Sequence, residues 1–79
     1  MNYQIWQVGI FGRRKLIAEG QLHDIHICND PTHKYLNRHK DIGRLIEDLK
    51  YKYEQRIDKN HYEFYLKTDG SSVWEVFRI

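Results

Sequence analysis

Four side chains able to hold a metal ion or attack an electrophile, His23, His26, Cys28 and His33, fall in one stretch of this 79-residue chain. Imidazole and thiolate are zinc ligands, and zinc is usually held by two close pairs. In a strand, His26 and Cys28 share a face while His23 points the other way, so at most two ligands converge without Asp24 or His33. There is no second close pair, so no metal is expected. Cys28 as a nucleophile needs a lowered pKa and an orienting base, for which His26 is a loose candidate. Ser71 and Ser72 lie in a turn, where serine bonds locally, and the chain has no glycine-rich phosphate loop and no HExxH. The carboxylates are scattered and read as surface charge. The expectation is a protein that is not an enzyme and carries no cofactor, with a metal-binding enzyme third in rank.

Cations form two patches, Arg13-Arg14-Lys15 and His33-Lys34 through Arg38-His39-Lys40, within a formal net charge of only +2. Arg13, Arg14 and Lys15 at a hairpin tip, with Lys34, Arg38 and Lys40 and with Tyr35 available to stack on a base, would suit a nucleic-acid backbone. A solvated tip that protects a sheet edge explains the first patch equally well. Nucleic acid is therefore the alternative partner, and no small-molecule substrate is evident.

Length and composition bound the remaining choices. A chain of 79 residues, 41% hydrophobic and 30% charged, with one proline and five glycines, is expected to be a single folded domain over 1–79. The lone Cys28 rules out an intramolecular disulfide and suggests a reducing compartment. No apolar run approaches the roughly 20 residues that cross a bilayer, and no secretory leader is recognisable. A cytoplasmic protein without a membrane partner is expected, in the host cytoplasm if the source is viral.

These groups must be positioned by a small α+β fold. Ile42, Leu45, Ile46, Leu49, Tyr53 and Ile57 keep helical spacing, which predicts one amphipathic helix over 41–58, with Asp41 as its N-cap and Arg44–Asp48 and Asp48–Lys52 as i,i+4 pairs. Alternation predicts strands over 3–11, 15–18, 22–28, 61–67 and 73–79, Gly20 being either a bulge or a corner. Asn29-Asp30-Pro31-Thr32 breaks the chain before a loop or short helix over 33–40, and Asp69-Gly70 marks a hairpin turn. The fold expected is an antiparallel sheet of four, or five, strands with one main helix, in the order ββ(β)αββ.

One helix covers one face of such a sheet. The first and last strands nevertheless carry apolar side chains on both faces, and exposed aromatic patches tend to be interaction sites. Tyr3, Ile5, Tyr65, Trp74 and Val76 on the sheet, with Tyr51 on the outer side of the helix, are the predicted protein-binding residues, for a protein partner or a homodimer. In size and architecture, on no particular residues, the chain looks like the compact stand-alone proteins of phages and mobile elements that bind host enzymes, anti-CRISPR proteins among them. That resemblance implies a non-enzymatic inhibitor.

Overall fold

The helix predicted over 41–58 forms only over Ile42–Lys52 (α1) in the computed structural model, which describes residues 2–79. Its start is as the sequence predicts: Asp41 is extended, and its Oδ1 accepts the Arg44 N–H at 2.8 Å. The other orphan donors of the first turn are met by the distant turn 21–25, with Ile42 N–H donating to the Asp24 carbonyl (2.9 Å) and Gly43 N–H to that of Leu22 (3.0 Å). At the other end Tyr53 turns to φ −127°, ψ 156°, and Glu54–Asp58 becomes a strand. Residues 54–58 satisfy both periods, since Tyr53 and Ile57 stand at helical spacing while Gln55 and Ile57 alternate with charges. Pairing decides between them. As a strand the segment gives residues 61–65 a partner along their whole length, from Glu54 opposite Tyr65 to Asp58 opposite His61.

The sheet has six strands, all antiparallel: β1 (Tyr3–Val8), β2 (Arg14–Gly20), β3 (His26–Ile27), β4 (Glu54–Asp58), β5 (His61–Tyr65) and β6 (Ser72–Arg78), in the spatial order β3-β2-β1-β6-β5-β4. The α+β class with an antiparallel sheet holds, while the count of four or five strands and the order ββ(β)αββ give way to six strands in the order βββαβββ. Two three-stranded meanders meet where β1 pairs with β6. The single long connection runs from one sheet edge to the other, a width of about 24 Å at roughly 4.8 Å per strand. A helix of this length spans only about 16 Å, so the loop 28–41 supplies the remainder.

Gly20 is a corner. It closes β2 at φ 146°, and a Cβ there would stand 3.4 Å from the Asp24 carbonyl, so the chain turns tightly before β3. The bulge lies earlier: Ile5 pairs with Ala18 and Trp6 with Leu16, leaving Ile17 as the extra residue. That insertion lets consecutive Ile17 and Ala18 both reach the core. Gly70, at φ 73°, occupies the Asp-Gly turn as predicted.

The helix stripe Ile42, Leu45, Ile46 and Leu49 packs with Tyr3, Ile5, Ala18, Phe64, Trp74 and Val76 in one cluster, joined by Leu36 from the short 3-10 turn Leu36–Arg38. Among the described residues nothing forms a second layer on the opposite face, which is tiled by its own side chains. His61 stacks on Phe77 (centroids 4.4 Å apart, planes 15°), and the Arg56 guanidinium lies over the Tyr65 ring at 5.3 Å while donating to Glu63. At its centre Glu75, only 3% exposed, sits between Arg14 Nε (2.5 Å from Oε1) and His61 Nε2 (2.7 Å from Oε2).

Candidate functional site

Four of the predicted protein-binding residues, Tyr3, Ile5, Trp74 and Val76, are buried beneath the helix. The helix covers the face expected to be free. Register explains why: Glu63 and Glu75 stand directly opposite one another on the other face, where like charges repel unless they reach solvent or a cation. Arg56 and Arg14 supply those cations, so that face must look outward. Tyr65 lies on it, half-buried under Arg56. Tyr51 alone of the six stands fully out, 89% exposed.

The most exposed large hydrophobic residue, Phe11, lies elsewhere with Ile10 beside it, at a tip within the stretch that alternation predicts as the first strand. That strand ends at Val8, and Ile10–Gly12 forms a tight 3-10 turn with Ile10 80% and Phe11 98% exposed. Phe11 has left-handed backbone at φ 63°, ψ 24°, a conformation rare for a bulky side chain. The turn is closed by Gly9 N–H donating to the Arg13 carbonyl (2.6 Å) and Gly12 N–H to that of Gly9 (3.2 Å). Alternation had hidden the tip, because apolar residues at 8, 10 and 11 prolong the strand pattern. Gly9 and Gly12 flanking Ile-Phe were the signal.

The basic patches are divided by strand parity. Arg14 crosses to the open face, where its Nε pairs with Glu75, so it is parted from Lys15. Lys15 takes the helix side, in the row of Gln7 and Trp74, and Tyr35 and His33 lie over Trp74 at ring-centroid distances of 5.7 and 6.1 Å. Lys15 and the loop carrying Lys34 thus share one side of the sheet. Tyr35 is not a stacking platform, because its ring is packed against Trp74 and His39 and has the Lys52 ammonium over it at 4.5 Å.

Between this loop and the outer side of α1 lies an open cleft of about 630 Å³. Its floor is a polar network on one oxygen: Asp48 Oδ2 accepts from the Tyr35 hydroxyl (2.5 Å) and faces His39 Nε2 (3.2 Å) and Lys52 Nζ (3.4 Å). The expected Arg44–Asp48 pair is not made, since Asp48 is turned toward the loop, whereas Asp48–Lys52 is. His39 Nδ1 meets the Tyr35 carbonyl at 2.9 Å, so both ring nitrogens are engaged and neither is open to an outside substrate. Around the floor stand Arg38, Lys40 and Arg44, which among the described residues have no carboxylate within ion-pair distance.

The network predicts a pH response. The Tyr35 hydroxyl bond holds the Asp48 carboxyl below its ordinary value against the opposing effect of burial, with help from His39 and Lys52. A carboxyl depressed in the folded state contributes stability that is present above its unfolded pKa, near about 4, and lost as pH falls through the lower folded value. Urea unfolding between about pH 5 and pH 2 should therefore show an acid loss that is smaller in Asp48→Asn. Burial, then the bond to Asp48, pushes the Tyr35 hydroxyl up. Its contribution is present below about pH 10 and disappears as pH rises through the folded value; Tyr35→Phe should lack that alkaline loss.

The histidine and cysteine stretch does not assemble. His23 and His26 are exposed, His33 lies against Trp74, and among the described residues no three His, Cys, Asp or Glu side chains converge as a metal site would require. Burial, then the Glu19 carboxylate, pushes the Cys28 thiol up, opposite to what a nucleophile needs. No helix among the described residues is long and apolar enough to cross a membrane. In comparison with known proteins, no family model, no curated protein and no solved structure matches the chain.

Proposed function

We propose that this chain is a non-enzymatic protein-binding module that engages its partner with the Ile10–Phe11 tip. The observation that carries the reading is a 98% exposed phenylalanine held on left-handed backbone by a closed turn. Apolar side chains gain nothing from water, and backbone strain of this kind costs about 1–3 kcal/mol, which a solvated loop has no reason to retain. A rigid aromatic that loses little entropy on docking is the usual anchor of an interface. Arg13 and Lys15, both exposed beside it, match a pocket with an apolar floor and an acidic rim. A plug of this form suits occlusion of an enzyme's pocket, the mode of an inhibitor.

The test is a paired capture from lysate treated with nuclease. A species retained by the wild-type chain should be lost at least tenfold with Phe11→Asn and with Ile10→Ser, yet be retained by Tyr51→Ala. Asparagine tolerates left-handed backbone, so Phe11→Asn should leave stability unchanged or raise it by up to about 1 kcal/mol. Capture that ignores both tip substitutions, or that vanishes with nuclease, rejects the reading. Light scattering of the same variants distinguishes a foreign partner from a second copy of this chain.

A further inference from the structure

The cleft beside α1 carries an inference independent of the tip. Its lining holds four cations, Arg38, Lys40, Arg44 and Lys52, against two carboxylates, Glu47 and Asp48. That excess equals the formal net charge of the whole chain, +2, so the charges outside the cleft sum to zero and the lining is a local concentration of cations. Asp48 is consumed by Tyr35, His39 and Lys52, which also holds the floor rigid. Arg38 comes from the 3-10 turn that buried Leu36 pins to the core, and Arg44 from the first turn of a capped helix. Two arginines from two anchored elements, with Lys40 from the link between them, thus line one space. At its rim stands Tyr51, an exposed ring one helical turn beyond Glu47 and Asp48.

The geometry points to a nucleotide as the ligand: a phosphate group between Arg38, Lys40 and Arg44, with the base stacked on Tyr51. Guanidinium forks match phosphate oxygens, and base stacking on an aromatic ring tolerates any sequence. The volume suits one nucleotide, which a free mononucleotide or one unit of a single strand supplies equally. The helix N-terminus takes no part, because its donors are already met by Asp41, Asp24 and Leu22.

The experiment titrates the isotope-labelled full chain with inorganic phosphate, with AMP and with an oligothymidylate, at low and physiological salt, following amide shifts. AMP is expected to shift Arg38, Arg44 and Tyr51, and phosphate to shift the two arginines alone. Binding should weaken with salt, with a logarithmic slope of roughly −2 for an oligonucleotide whose phosphates meet about three cations. Arg38→Ala and Arg44→Ala, both at exposed positions, should each weaken AMP about tenfold, and Tyr51→Leu should weaken AMP but not phosphate. Oligothymidylate binding at least as tightly per site as AMP assigns the cleft to a strand, and binding of AMP alone assigns it to a free nucleotide. No shift at the cleft with any of the three, or shifts that survive both arginine substitutions, overturns the proposal. Phe11→Asn leaves this titration unchanged, so it stands or falls apart from the tip.

Discussion

Phe64→Ala is expected to destabilise the domain by about 3–5 kcal/mol, seen as a fall in the urea midpoint at an unchanged slope. Phe64 has no solvent exposure and sits opposite Trp74 on one side and Gln55 on the other, in the layer between sheet and helix. The methyl group of alanine leaves a void that neighbours fixed in a ladder refill only in part. A domain of this size has roughly 4–12 kcal/mol in all, so the variant should be at or near the unfolding threshold at ordinary temperature. Phe77→Ala, at a half-buried position on the uncovered face, should cost less than half as much. Equal losses at the two positions would contradict the placement of the helix.

The second large effect concerns Glu75. Replacing both of its partners while keeping their cover, Arg14→Met with His61→Phe, should cost about 3–5 kcal/mol at neutral pH, because a carboxylate is then left in a dry site with no counter-charge. Phenylalanine retains the stack on Phe77, and methionine retains much of the apolar stem of Arg14. Adding Glu75→Met to that pair should return most of the loss, since a well-packed apolar trio replaces a buried ion cluster with little net change. Thermal unfolding of the double and triple variants measures both steps. A double variant as stable as the wild type would mean that water reaches Glu75 and that the open face is less tightly tiled than its contacts indicate.

The two effects also separate what was legible before folding from what was not. Asp41 as N-cap, the stripe through Leu49, the break at Asn29 to Thr32 and the Asp69-Gly70 turn are local matters, set by spacing and by the conformations that proline, glycine and a capping carboxylate favour. They stand in the structure as the sequence implies. In segment 54–58 the stripe continued by Tyr53 and Ile57 predicts helix, and only the ladder with 61–65 makes it a strand. Tyr3, Ile5, Trp74 and Val76 lie under the helix and not on an open docking face, which is hidden in the sequence because they resemble the apolar set behind them. Glu63 opposite Glu75 could have marked the solvent side, but that pairing depends on a register no single strand contains.

The cleft follows the same division. Arg38 and Lys40 are visible as part of a basic run and Tyr51 as an outward ring, yet Arg44 and Lys52 join those two cations only because Leu36 seats the loop against the helix. Likewise Arg14 leaves the tip patch for Glu75, and Phe11 emerges from what reads as a strand. By itself the sequence determined one domain's worth of apolar residues, an antiparallel α+β class and where the chain must turn, because those depend on neighbours within a few residues. The tertiary structure alone decided which sheet face the helix shields, which cations share a surface and which rings meet water. Those outcomes arise from contacts between segments far apart in the chain, and a single residue of register reverses every side chain on a strand.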